Sequence, residues 1–132
     1  MSKRSSENIF DYWIHSSDED FETMIVLYNS KRYNWALFVA HLMIEKLLKA
    51  YYLKIKSDHP PYTHNLLRLA EFADIELSEE EKVFFATVTA FNINARYDDY
   101  KKSFQKICTK EYAEIWIDEI KKKREWIKEL LK

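Results

Sequence analysis

No glycine occurs anywhere in the 132 residues of the chain. Average usage near 7% would place about nine. Glycine is the residue that takes positive φ at no steric cost, so it ordinarily makes tight hairpin turns, helix C-caps and loops that wrap phosphate. A chain without it is not expected to build a Rossmann fold, a P-loop or a hairpin-rich sheet. Its helices must stop on other residues (Asn, Asp or Lys), and Asn29 and Asn94 are the candidates.

What remains is helical in pattern. From about Ser6 to Asn29, Ile9, Trp13, Asp20, Met24 and Leu27 share a stripe, with Phe10, Phe21, Ile25 and Tyr28 beside it and charges elsewhere. The Ser16–Asp20 stretch is polar enough to break this segment, with a new cap at Ser16 or Ser17, but one continuous helix is preferred. From about Tyr33 to Lys56 the apolar positions widen into a belt running from Trp35 and Ala36 to Tyr51, Tyr52 and Ile55. So wide a belt marks a central helix packed by several neighbours. Pro60 and Pro61 then forbid helix. Thr63 is the expected cap of a short helix from His64 to Ala73. Ser78 and Glu81 are spaced as a capping box for a fourth helix ending near Asn94. Arg96 to Thr109 reads as polar and irregular, and a fifth helix covers Glu111 to Lys132.

The expectation is one all-α domain over residues 1–132: an up-and-down bundle of about five helices, with the first six or seven residues frayed. Apolar residues make up 47% and aromatics 16%, which is enough for a core. Trp13 and Leu48 are taken as core residues whose loss would leave cavities. The aromatic set Tyr33, Trp35, Tyr51, Tyr52, Trp116 and Trp126 reads as core and interface, with Trp126, on a basic stretch, as a possible partner contact. The formal charge of −1 gives no global attraction to nucleic acid but leaves room for a local basic patch. Cys108 is the one cysteine, so an intrachain disulfide and a cysteine-based zinc site are excluded. No apolar run approaches the ~18 residues of a membrane span and no leader peptide is visible, so a cytoplasmic location is expected.

Several fragments then fall into a known order. Trp13, Asp20 and the stretch from Leu27 to Ala36 are followed by Phe38, His41, Ile44, Glu45, Lys46, Leu48, Lys49 and Ala50. Pro61, Thr63, His64 and Leu66 come next, and then Asn94, Ala95, Arg96, Tyr97 and Asp98. In order and spacing this resembles the HEPN family (higher eukaryotes and prokaryotes nucleotide-binding domain), with its EK pair followed by LKA, its P-x-TH-x-L loop and its ARYPD-like segment. The resemblance implies a four-helix core and a homodimer. In this family some members are ribonucleases that act as toxins in toxin–antitoxin pairs, many are encoded beside a minimal nucleotidyltransferase, and others are proposed to bind nucleotides. The nuclease members carry an Arg-x4–6-His motif, two copies of which meet across the dimer.

Here the motif is incomplete. Beyond Arg96 the corresponding positions are Lys101, Lys102 and Ser103, and no other arginine has a histidine at that spacing. Proton transfer near neutral pH wants a group such as imidazole. The expectation is therefore a non-catalytic interaction module, a homodimer that pairs with a minimal nucleotidyltransferase or binds a nucleotide or RNA. The alternative is a degenerate ribonuclease acting on RNA through Arg96 and a nonstandard base, with His41 or His64 reaching the site from elsewhere.

The candidate binding residues are His41, Glu45, Lys49, His64, Arg96, Tyr97 and Asp98. His41, Glu45 and Lys49 stand at i, i+4 and i+8, on one helical stripe that faces a pocket or forms a charged groove edge. Guanidinium and phenol suit phosphate and base. Equally, Arg96 can pair with Glu45 or another acid and simply lock the loop. His59 and His64, with His41 and Glu45, lack a standard metal-ligand spacing, so neither metal nor cofactor is expected.

Overall fold

The computed structural model describes residues 3–132. Among them are six helices: α1 (Lys3–Asn29), α2 (Tyr33–Lys56), α3 (Leu66–Phe72), α4 (Glu79–Arg96), α5 (Asp98–Ile107) and α6 (Lys110–Leu131). The described chain is an all-α bundle with no strand. α1 starts at Lys3, inside the segment expected to fray; Met1 and Ser2 of that segment lie outside the described residues.

α2 is the central helix and packs against each of the other five. Its Ala36, Leu37, Ala40, Met43, Ile44, Leu47 and Leu48 are all fully buried, which is why the apolar belt had to be so wide. α1 is continuous through its polar stretch. Ser17 is fully buried, and its hydroxyl donates to the Met43 carbonyl at 3.2 Å, so the stretch turns one serine inward against α2 and not outward into a loop. Asp18 faces α6, where it pairs with Arg124 at 3.1 Å and Lys128 at 3.0 Å.

α4 starts on the full capping box: Ser78 Oγ accepts from the Glu81 N–H, and the Glu81 carboxylate accepts from the Ser78 N–H. α3 is shorter than expected. Asn65, not Thr63, caps it, accepting from the Arg68 N–H at 3.1 Å, while Thr63 Oγ1 accepts from the Asn65 N–H one turn earlier. The segment after Arg96 also differs from its irregular reading. α5 occupies it, with Asp98 and Asp99 in the first turn, Lys106 in the last, and a single buried anchor, Phe104, whose ring lies 5.6 Å from Phe91 of α4.

Among the described residues, three that are not glycine carry positive φ: Lys31 (62°), Ser57 (53°) and Asp74 (60°). They close the turns that glycine would ordinarily close. Asn29 and Asn94 do not: Asn29 is the last residue of α1, and Asn94 lies inside α4, which continues to Arg96.

A buried polar network joining three helices

Two helices turn polar side chains into the interior. On α2, the i, i+4, i+8 spacing of His41, Glu45 and Lys49 aims three ionisable side chains along one stripe, and they are 0, 5 and 8% exposed. On α4, Asn92 follows Phe85 and Val88 on the buried face and is 4% exposed. The loop after the prolines delivers His64 to the same place.

The hydrogen bonds fix the protonation pattern. His41 Nε2 lies 2.8 Å from the His64 carbonyl oxygen, which can only accept, so Nε2 carries the proton. Asn92 Nδ2 donates to His41 Nδ1 at 3.3 Å. His41 is thus the neutral Nε2–H tautomer, in keeping with burial, which holds its pKa below the ordinary 6.5 against the opposing pull of the His64 carbonyl and Glu45. His64 Nδ1 donates to Glu45 Oε1 at 2.7 Å, and Lys49 Nζ donates to Glu45 Oε2 at 3.0 Å. Both carboxylate oxygens are therefore engaged, and the His64 ring, half-exposed, keeps Nε2 outside this bond. The loop is held on its far side as well, since the Leu66 N–H donates to Thr89 Oγ1 of α4 at 3.0 Å.

Arg96 joins from the end of α4. Its Nε donates to the Asn92 carbonyl at 3.3 Å, and its guanidinium carbon lies 5.9 Å from the Phe38 ring centre and 5.4 Å from that of Tyr97. The residue is exposed and no carboxylate pairs with it among the described residues. The alternative in which Arg96 locks its loop by pairing with Glu45 does not hold, because Glu45 is taken by Lys49 and His64. Tyr97, 54% exposed, ends α4 and begins α5. Asp98 is exposed in the first turn of α5 and makes no ion pair with Arg96.

Of the seven candidate residues, then, His41, Glu45, Lys49 and His64 form one connected network, Arg96 is tied to it through Asn92, Tyr97 lies against Arg96, and Asp98 stands apart. His59 is exposed and also apart. Among the described residues no group of three His, Cys, Asp or Glu side chains could hold a metal ion. One member was not anticipated here. Asn92 could have been found as the one amide on an apolar helix face. Trp13, expected in the core, lies outside the main hydrophobic cluster: it is half-buried, and Lys49 Nζ sits 5.3 Å from its ring centre. Trp126 is half-buried and packed against the core, with Lys123 Nζ 4.5 Å from its ring centre.

The HEPN domain family model matches residues 10–130. This chain belongs to the HEPN family. Every residue of the network falls inside the matched span, and the fold is the all-α bundle expected of a HEPN domain, a module associated in general with nucleotides and RNA. No curated protein and no solved structure matches the chain. Among the described residues of this HEPN domain no helix is long and apolar enough to cross a membrane.

Proposed function

We propose that this HEPN domain is a non-catalytic interaction module: a homodimer that binds a nucleotide or RNA through a phosphate at Arg96 and pairs with a minimal nucleotidyltransferase. The observation that carries the reading is the state of Arg96. Its guanidinium is held in place by the Asn92 carbonyl and two aromatic rings, yet no acid among the described residues pairs with it. A guanidinium so placed presents a planar donor fork to an oxyanion at little further entropic cost.

The non-catalytic part rests on what surrounds that cation. Lys101, at the spacing where nuclease relatives place histidine, has its ammonium 5.0 Å from the Trp35 ring centre. An ammonium is a poor proton-transfer group at neutral pH, where an imidazole is a good one. The dimer is supported by apolar side chains exposed in the same stretch as Arg96, namely Ile93, Tyr97 and Tyr100 at 45, 54 and 53%. The nucleotidyltransferase partner follows from the family alone.

A second reading has one observation in its favour. The Glu45–His64 pair is a carboxylate-oriented imidazole, an arrangement suited to a general base, and it is linked to Arg96 through His41 and Asn92. A degenerate ribonuclease would use it. The two readings separate in one experiment: binding of a labelled RNA oligonucleotide and its cleavage, measured side by side for wild type, Arg96→Ala, His41→Ala and His64→Ala. The interaction module predicts binding without cleavage, lost in Arg96→Ala at an unchanged melting temperature. Cleavage abolished by both Arg96→Ala and His64→Ala establishes the ribonuclease instead, and Arg96→Ala that binds as wild type does removes Arg96 from the site.

A further inference from the structure

We propose that the N-terminal end of α2 is a second phosphate-binding site, separate from Arg96. The start of this 24-residue helix is built unlike an ordinary one. A helix N-terminus leaves backbone N–H groups unpaired and carries partial positive charge, which proteins usually offset with a side-chain cap and acids in the first turn. At α2 the cap position is Arg32, no side chain caps the helix, and the first turn holds no acid. The Ala36 N–H reaches the Arg32 carbonyl at 2.9 Å, whereas the N–H groups of Tyr33, Asn34 and Trp35 precede that first helical bond. Two cations add to the field: Lys31 and Arg32 are exposed and enter no ion pair among the described residues.

An independent observation points to a ligand. A pocket of about 230 Å³ opens at this helix end, lined by Lys31, Arg32, Asn34 and Gln105 among others, and no carboxylate lines it. Asn34, which lines the pocket, is 7% exposed, and its buried Nδ2 has no hydrogen-bond partner among the described residues. Buried amide donors without an acceptor are rare in folded proteins. The charged side chains that line this pocket are Lys31 and Arg32, and Asn34 and Gln105 supply amide donors there, so the component that fits is an acceptor, and an anionic one. Cys108, also on the wall, does not oppose an anion, because burial pushes its thiol up to about 12 and keeps it neutral.

The volume is below the ~300–1,000 Å³ of pockets that enclose a drug-sized ligand, so the site takes an anionic group and not a whole nucleoside. Phosphate is the group whose several acceptor oxygens match a fan of backbone N–H donors flanked by a lysine and an arginine. The turn that presents them is fixed, since the Lys31 N–H and Arg32 N–H bond the Tyr28 and Leu27 carbonyls of α1 at 3.0 and 2.8 Å.

The site is also joined to Arg96 by a run of side-chain contacts. Lys101 stands over Trp35, the Trp35 and Phe38 rings meet edge to face at 5.8 Å, and Arg96 stands over Phe38. Cations alternating with aromatic rings suit the successive phosphates and bases of a single strand. That extension rests on the reading of Arg96 above; the α2 site does not.

The test is an NMR titration of backbone and side-chain amides, first with inorganic phosphate and then with a short ribo-oligonucleotide carrying or lacking a 5′-phosphate. It is run on wild type, Arg96→Ala and the double variant Lys31→Glu/Arg32→Glu, whose altered side chains are exposed and do not threaten folding. Inorganic phosphate is expected to shift the amides of Tyr33, Asn34 and Trp35 and the Asn34 side-chain amide. The double variant is expected to weaken that response by roughly tenfold or more, and Arg96→Ala to leave it in place. Response to the oligonucleotide only when it is 5′-phosphorylated assigns the site to a terminal phosphate, and response to both forms assigns it to the strand's phosphodiesters; either supports the proposal. It is overturned if phosphate leaves these amides unmoved, if charge reversal does not alter the response, or if Arg96→Ala abolishes it.

Discussion

His64 Nδ1 lies 2.7 Å from Glu45 Oε1, so a loop residue beyond the two prolines is tied to the middle of the central helix. Because Glu45 is 5% exposed and also holds Lys49, its carboxylate balances the Lys49 ammonium buried with it. Removing the charge leaves Lys49 unpaired in a low-dielectric setting. Glu45→Gln is expected to lower stability by about 3 kcal/mol in urea denaturation. The double variant Glu45→Gln/Lys49→Met should recover much of that loss. A single variant as stable as wild type would show that the ion pair is solvated in practice.

Leu48 is fully buried on α2 and Trp13 is not part of the main cluster. Leu48→Ala is therefore expected to cost about 2–5 kcal/mol through the cavity it leaves. Trp13→Ala, which opens a half-exposed site beside Lys49, should cost less than Leu48→Ala. Equal losses in thermal melts would place the indole in the core after all.

His41 gives a pH dependence whose sign can be worked out. Burial lowers its pKa below the ordinary 6.5, so the folded protein holds the neutral ring while the unfolded chain takes up a proton. The stability this contributes is complete above the unfolded value and is lost as pH falls from about 6.5 toward the folded value. The melting temperature should fall between pH 7.5 and 5.5 in wild type, and less steeply in His41→Asn. Parallel slopes for the two proteins would assign the acid sensitivity to other groups.

The capping box of α4 gives a local test. Ser78→Ala removes one acceptor at the helix start and is expected to cost about 1 kcal/mol. The Glu81 carboxylate is held below its ordinary value first by the Ser78 backbone N–H and then by Lys123, so stability should decline further as pH falls through the carboxylate range. A Ser78→Ala melt superimposable on wild type would mean that water replaces the cap without loss.

The proposed homodimer predicts a light-scattering mass of twice the 16.1 kDa of the chain at micromolar concentration. Charged replacements at Ile93 and Tyr100 should shift the mass toward a single chain. A wild-type mass near 16.1 kDa would reject the dimer.

The helices were legible in the sequence wherever periodicity is a local property. The width of the α2 belt, the prolines after it, the Ser78–Glu81 spacing and the absence of glycine each act within a few residues, and they determined an all-α bundle with α2 at its centre. α5 was missed because its one buried anchor, Phe104, acquires its meaning only when Phe91 of α4 lies against it. The stripe of His41, Glu45 and Lys49 was visible as spacing, but not its burial, which depends on α1, the His64 loop and α4 closing around it. Nor could spacing tell whether Arg96 would be consumed by Glu45. That choice was made by competition: Lys49, one turn away on the same helix, and His64, delivered by the loop, reach the carboxylate and leave the guanidinium to Phe38, Tyr97 and whatever anion meets it. Hydrogen bonds between groups 19 to 51 residues apart are set by which helices pack, and only the tertiary structure decides that.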